Sequence, residues 1–465
     1  MSNPLKEAGL GAAAVDWLQR IEQRTFAEPA DPARLPEDAD ALRRLVEEGW
    51  ALVDRLPLRS KRSTAEKGAG ERIVRAMADL AWRFARSHRE AIYRRLTDDF
   101  RRSLRIDDLM WRAAELWPGL APTRAQLDEE SQRAQIDKDG REIAQGVLVS
   151  QLMNDRRIGT HMLMSMLRPT EEARARLDEF IAKGTLDLGP VRVEARGECG
   201  YLYFTYPRYL NAEDDTALGA QEMATDLILM HPHLKMGVVR GDPVHHPKYK
   251  GRRIFSAGLN LTRLYHGKLP YLFYLVRDLG FVNKVYRGHS RPDFRLDEPD
   301  DTHEKPWLAV VEGFAIGGGC QLLLVMDYII AEQGAYFNLP ARKEGIIPGC
   351  ANLRLPRFVG EAVARDGIMF DRRFSVEEPA AAALIREVHP HDRLDAAVQS
   401  AVDNAVGSGM VSAGGNRKAM RVQTEPLDRL REYMVVYARE QAFCHLSEQL
   451  THNLEKHWQA KQRRL

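Results

Sequence analysis

Val310-Val311-Glu312-Gly313-Phe314-Ala315-Ile316-Gly317-Gly318-Gly319-Cys320-Gln321 reads as a buried strand that runs into three glycines and then into a helix. Such a junction leaves backbone N–H groups unpaired at a helix N-terminus, a place suited to developing negative charge. Earlier in the chain, Phe255-Ser256-Ala257-Gly258-Leu259-Asn260-Leu261 offers a second tight strand-to-turn corner. Two N–H donors from such corners, converging on one carbonyl oxygen, make an oxyanion hole.

Around these corners the pattern alternates. Residues 191–195, 201–205, 253–256, 307–311 and 328–331 read as strands, with helices between them through Val388. One of those helices is expected to start near Asn211. The alternation predicts an α/β core. Residues 292–305 are charged, contain proline and lack periodicity, which predicts a surface loop. Upstream the chain reads as helical. Within residues 71–100, Ile73, Met77, Leu80 and Phe84 recur at helical spacing, and Arg72, Arg75, Arg83 and Arg86 take other faces as a solvated surface with i,i+4 pairing. Residues 147–167 form one Leu- and Met-rich run that stops at Arg168-Pro169, with Met153, Met162, Met164 and Met166 as a packed core stripe. From Leu427 the pattern is helical again, with Val436, Phe443, Leu446 and Leu450 along one side. The expected organisation is a helical domain at 1–187, an α/β core at 188–390 and a helical region at 391–465.

The bulk properties exclude several classes. The chain has 465 residues, 44% hydrophobic and 29% charged, with a net charge of +2, so there is no global case for nucleic acid. No stretch approaches about 18 uninterrupted apolar residues, which argues against a membrane span. Met1-Ser2-Asn3-Pro4-Leu5-Lys6-Glu7 lacks the regions of a signal peptide. Cys199, Cys320, Cys350 and Cys444 lie far apart with no CxxC pair and read as reduced thiols of a cytoplasmic protein. His231, His233, His245 and His246 fit no standard metal-ligand spacing, so no metal is expected.

The two glycine corners, followed by Phe337-Asn338-Leu339-Pro340 and Gly345-Ile346-Ile347-Pro348-Gly349, resemble the crotonase (enoyl-CoA hydratase/isomerase) family. The resemblance spans roughly residues 190–455. It implies a repeated ββα core, a helical tail packed across a trimer contact, and a homo-oligomer built from one trimer or two. By position it puts the two oxyanion donors on Leu259 and Gly318. Their task is to stabilise the enolate of an acyl-CoA thioester, and each such donor is worth about 3 kcal/mol.

Hydratases of the family use two glutamates to add water. Gln321 takes the place of the first, and Ala341, after Pro340, that of the second, so water addition should be lost. Glu344, three residues further on, could in principle substitute for the second glutamate, but it reads as a solvated loop charge. Gln321 and the helical extension make the chain similar to the dioxygenase branch of the family that acts on (3,5-dihydroxyphenyl)acetyl-CoA. That branch implies O2 as co-substrate, free CoA and a 2-oxo-acid as products, and no metal or flavin. It also implies a place in the making of dihydroxyphenylglycine for glycopeptide antibiotics. A crotonase-type hydrolase, decarboxylase or isomerase, or a silent acyl-CoA-binding subunit, stays open as an alternative.

The resemblance carries over three polar site residues. Glu213 is expected at the start of the helix that follows Asn211, where its charge could also simply complement the dipole. Arg277 could bind a phenolic oxygen or a peroxide, or form a surface bridge with Asp278. Gln321 can orient substrate without titrating. Leu259, Leu261, Ile316 and Ile346 are candidates for an apolar lining, and Ala257, Gly258, Asn260, Gly319 and Cys320 are expected against the acyl-CoA. For the CoA phosphates, His246-Pro247-Lys248-Tyr249-Lys250-Gly251-Arg252-Arg253 offers cations, with Tyr249 near the adenine or pantetheine.

Overall fold

The computed structural model describes residues 4–249, 251–298, 300–407 and 410–465. The chain packs as two units. One takes the segment up to Ser165 together with Thr262–Leu272 and Arg431–Leu465; the other takes Met166–Leu261 and Phe273–Leu430. The helical tail expected as one piece from residue 391 is therefore divided between them.

The first unit is helical. Its longest helix, Thr64–Thr97, opens on a reciprocal capping box between Ser63 and Glu66 and closes at Asp98 in the left-handed region. It buries Ile73, Met77, Leu80 and Phe84 as their spacing predicts. Each such burial contributes about 1.5–3 kcal/mol. Arg94 pairs along the helix with Glu90 at 3.0 Å, as expected, whereas Arg72 reaches Glu22, Arg86 reaches Glu28 at 2.8 Å, and Arg83 donates to the carbonyls of Ile21 and Arg24. The single run expected over 147–167 is two helices, Ile143–Met153 and Arg156–Met166. The break falls at Asp155, whose carboxylate accepts from the Ile158 N–H at 2.9 Å.

The tail helix Leu427–His445 buries Leu430, Met434, Tyr437 and Ala438, while Val436 is 60% exposed. At about 100° per residue, position 436 points away from the face set by 430, 434 and 437, so Val436 does not share the buried side expected for it. Leu446 and Leu450 are buried as expected. The Tyr271 hydroxyl donates to Ala438 O at 2.5 Å, and the Tyr271 N–H to Glu142 at 2.7 Å.

The second unit carries a seven-stranded sheet in the order Thr185–Asp187, Val191–Arg196, Cys199–Phe204, Met236–Gly241, Trp307–Val311, Tyr328–Glu332 and Glu387–His389. The first three strands are antiparallel and the rest run parallel. Phe314–Ile316 and Tyr336–Asn338 pair in parallel in a smaller sheet completed by Arg373–Ser375. Two ββα repeats follow directly: Trp307–Val311, Phe314–Ile316 and helix Gly318–Leu323, then Tyr328–Glu332, Tyr336–Asn338 and helix Ala341–Glu344. This is the expected α/β architecture, with each repeat sending one strand to each sheet.

Three local expectations need correction. Residues 253–256 form single bridges, Arg253 with Pro243 and Ser256 with Ala315, in place of a strand, because the chain turns away at Gly258. The helix expected near Asn211 begins at Asp215. Leu210 and Asn211 are left-handed (φ 54° and 56°), Asn211 Oδ1 accepts from the Tyr206 N–H, and Asp214 supplies the N-cap. The loop 292–305 is not wholly on the surface, since Glu304 and Lys305 at its end are buried. No helix among the described residues is long and apolar enough to cross a membrane.

Candidate active site

The two glycine corners are clamped together by backbone bonds. The Ser256 N–H donates to Phe314 O at 3.2 Å, the Ile316 N–H to Ser256 O at 3.0 Å, and the Gly317 N–H to Asn338 O at 2.9 Å. Gly258 has φ +82°, and a Cβ there would meet Ile316 O at 2.6 Å and Gly318 N at 3.2 Å. Glycine is thus required by both conformation and approach. The extended backbone of Glu213 zips onto the first corner: its N–H donates to Gly258 O at 2.7 Å, and the Asn260 N–H donates to Glu213 O at 2.8 Å. Between those bonds, the Leu259 N–H has no acceptor among the described residues, nor has the Gly318 N–H that opens the next helix. The geometry offers two unused donors on abutting loops.

Against them sits a buried charge cluster. The Glu213 carboxylate fills the space over Gly318, where any Cβ would collide with Oε1. Arg277 begins a π-helical turn, Arg277–Val282, of a kind that recurs at functional sites. Its Nε faces Glu213 Oε1 at 2.7 Å as an ion pair without hydrogen-bond alignment. Its Nη1 donates to Asp278 Oδ1 and to Gln321 Oε1, both at 2.8 Å, and its Nη2 to Gly318 O at 2.7 Å. With Gln321 Oε1 occupied, the Nε2 hydrogens of that amide remain available. Burial pushes the Glu213 carboxyl above the usual range; Arg277 opposes this, and Asp278 and Asp214 reinforce it. Burial also opposes the charge on Arg277, but Glu213 and then Asp278 outweigh it and hold the guanidinium above its ordinary value.

The structure therefore brings Glu213, Arg277, Gln321, Gly318 and Leu259 together. Arg277 is not in a surface bridge: its pairing with Asp278 is buried. Glu213 lies before the helix N-cap and is not a first-turn charge. Glu344 is not solvated. It is 5% exposed, and burial followed by the charge of Asp371 pushes its carboxyl up to about 7. Ala341 is buried, and Glu344 is buried in the same short helix, Ala341–Glu344.

The remaining candidates divide. Leu259, Ile316 and Ile346 are half-buried and Leu261 is buried. The Ala257 N–H donates to Leu210 O. Asn260 Nδ2 donates to Asp214 Oδ2 at 2.9 Å, Gly319 packs on Ser256, and Cys320 is fully buried with its thiol pushed up by burial. These last three hold the corners in place. His246 and Lys248 are exposed; Tyr249 is half-buried, with its ring 5.5 Å from Phe314 and Lys248 Nζ 5.1 Å above it. Arg252 and Arg253 are engaged by Glu332 and Asp242, and Lys250 lies outside the described residues.

Sequence reasoning missed the structural weight of Asp278, Asp214 and Ser256. The Ser256 hydroxyl donates to Asn211 O and accepts from the Gly258 N–H. Gly349 carried a signal for Asp278: the aspartate carboxylate occupies the space a Cβ at 349 would need. Among the described residues, no group of three or more His, Cys, Asp or Glu side chains forms a metal-ligand set.

The chain is similar to several known proteins. The enoyl-CoA hydratase/isomerase family matches residues 251–456. The (3,5-dihydroxyphenyl)acetyl-CoA 1,2-dioxygenase of Amycolatopsis orientalis is 40% identical over 406 residues, 87% of this chain and 92% of that protein. A carnitinyl-CoA dehydratase of Salmonella arizonae is 34% identical over 168 residues, 36% of this chain and 56% of that protein. Among solved structures, an enoyl-CoA hydratase from Bacillus halodurans aligns with TM-score 0.48 and 18% identity, over 58% of this chain and all of that one.

Proposed function

The chain belongs to the enoyl-CoA hydratase/isomerase (crotonase) family, and from that premise we propose that it is a dioxygenase of (3,5-dihydroxyphenyl)acetyl-CoA. The products are (3,5-dihydroxyphenyl)glyoxylate and free CoA, as suits the making of dihydroxyphenylglycine for glycopeptide antibiotics. The observation that carries this reading is a pair of acceptor-free N–H groups, Leu259 and Gly318, set beside Arg277 and Gln321 where water-adding glutamates are missing. The relative from Amycolatopsis orientalis supports the choice of substrate.

The thioester oxygen accepts from the Leu259 and Gly318 N–H groups, so charge moving onto it is stabilised as the α-proton leaves. Glu213 is the carboxylate against Gly318, and it takes that proton; its raised pKa brings it closer to the acidity of an arylacetyl thioester. Gln321 Nε2 and the Arg277 edge orient the ring hydroxyls. The carbanion passes one electron to O2, and the radical pair closes a Cα–O bond. The distal peroxide oxygen attacks the thioester carbon, and CoA leaves as the thiolate. The O–O bond then breaks as the second α-hydrogen departs as a proton, leaving one atom of O2 in the ketone and one in the carboxylate. Leu259, Leu261, Ile316 and Ile346 limit water around the carbanion. His246, Lys248 and Tyr249 form the outer face for CoA, and the assembly is a trimer or a pair of trimers.

Incubation with the substrate under 18O2 tests this. Two labelled oxygens in the acid and one O2 consumed per CoA released are expected. CoA release under argon would overturn it.

A further inference from the structure

The loop 292–305 ends in two buried charges that are treated differently. The Glu304 carboxylate is matched by Arg417, with Nε at 3.0 Å, and by Arg421 on both oxygens. The Lys305 ammonium donates to Ile228 O and His231 O, each at 2.7 Å, at the end of helix Asp215–Met230. Among the described residues no carboxylate lies within ion-pair range of it, although the residue is 7% exposed. Two carbonyls use two of three donors, and a helix end supplies only about half a negative charge. One N–H and a net positive charge remain, and a buried charge without a counter-ion is costly.

Lys305 borders a cavity of about 840 Å3 that Lys235, Arg291, Lys418, His231 and His303 also line. Burial and then the Lys305 charge hold His231 below its usual pKa; at His303 burial acts first, then Lys305 and Lys418, with Glu304 opposing. Lys235 pairs with Glu198 and Arg291 with Asp301, which leaves Lys305 and Lys418 as the lining cations without an ion-pair partner among the described residues. Leu177, Leu229 and Leu234 give the cavity an apolar wall. Its size is that of a small-molecule site. Lys235 and Lys305 precede the parallel strands Met236–Gly241 and Trp307–Val311, whereas the glycine corners follow those strands. The cavity is at the opposite end of the sheet from the oxyanion donors.

We propose that this cavity is a second ligand site, for a phosphate-bearing small molecule whose oxyanion is the counter-ion of Lys305 and whose remainder lies along Leu177, Leu229 and Leu234. Burial pushes the Lys305 ammonium down to about 8. A bound dianion favours the protonated form, so binding weakens as pH rises past that value. The other charged and titratable groups around the cavity are His231, His303, Lys418, Glu304, Lys235 with its partner Glu198, and Arg291 with its partner Asp301.

Calorimetric titration of the full-length protein with inorganic phosphate and with adenosine 5′-monophosphate, at pH 7 and pH 9, tests the site. Saturable binding at one site per chain is expected, weaker at pH 9, and weakened about tenfold or more by Lys305→Met. Lys418→Met and His303→Gln, which leave the helix end untouched, should each weaken it several-fold and cover the case in which Lys305→Met does not fold. Tighter binding of the nucleotide supports an organic phosphate, and equal affinities support the free ion. No saturable binding up to 10 mM, or binding unchanged by Lys305→Met and Lys418→Met, overturns the proposal. So does nucleotide binding that Tyr249→Ala abolishes and Lys418→Met does not, or Lys418→Met altering the oligomeric state without any anion binding.

Discussion

Gly318→Ala adds one methyl group at the most constrained point of the site. The new Cβ would overlap Glu213 Oε1 and stand 3.1 Å from Arg277 Nη2. Relief has two routes. Glu213 can swing away, which breaks its 2.7 Å pairing with Arg277 and leaves a buried carboxylate without its cation. Alternatively the helix start can shift, which carries the Gly318 N–H away from the Leu259 N–H. The first route is overpacking, costing about 1–3 kcal/mol. The second removes an oxyanion donor, worth about 3 kcal/mol or roughly 100-fold in kcat. Both predict a fall in kcat of about 100-fold or more, with KM for the acyl-CoA changed far less. Oxygen uptake and CoA release measure the first quantity, and thermal melting reads the packing cost. Gly219→Ala is the control: Gly219 lies exposed in helix Asp215–Met230 with nothing near its missing Cβ, so this change should stabilise by about 0.5–1 kcal/mol and leave kcat alone. A Gly318→Ala enzyme with kcat within threefold of wild type and an unshifted Tm would refute the arrangement.

Gln321→Glu puts a third carboxylate on Arg277, whose Nη1 is 2.8 Å from the present amide oxygen; kcat at pH 8 should fall at least tenfold and recover partly at pH 6, measured by O2 uptake. Glu344 has a folded pKa of about 7 against an ordinary 4.5, so the folded state binds the extra proton and stability is lost as pH rises through that window. Glu344→Gln should therefore raise stability at pH 8, by about 3 kcal/mol at most, and flatten the fall of Tm between pH 4.5 and 7; denaturant melts at both ends of the range check it. Tyr249→Ala should raise KM for the acyl-CoA several-fold with kcat nearly unchanged, because the ring leans on Phe314 outside the charge cluster; a fall in kcat alone would contradict that placement.

The strand Trp307–Val311, the glycine corners and the buried stripe of helix Thr64–Thr97 were legible because each is a local pattern: an apolar run, a need for glycine, a period of 3.6. Gln321 and Ala341 were equally plain, since which side chain stands at a position needs no coordinates. Val436 went wrong where a face is decided by a few tens of degrees of helix rotation. Residues 253–256 went wrong because β structure requires a partner, and the chain leaves the sheet at Gly258.

Charge was the least legible property. Glu344 looked solvated and is buried, Arg277 looked like part of a surface bridge and is buried among Glu213, Asp278 and Gln321, and Lys305 sat in an apparent surface loop. Residue types and local spacing were enough for the α/β core and the two glycine corners, because those depend on neighbours along the chain, and the family resemblance added the positions of the missing glutamates. Which carboxylates are desolvated, and which cations they meet, depends on segments distant in sequence, such as Glu213 and Arg277. Only tertiary packing sets those distances and excludes the water that would otherwise screen them.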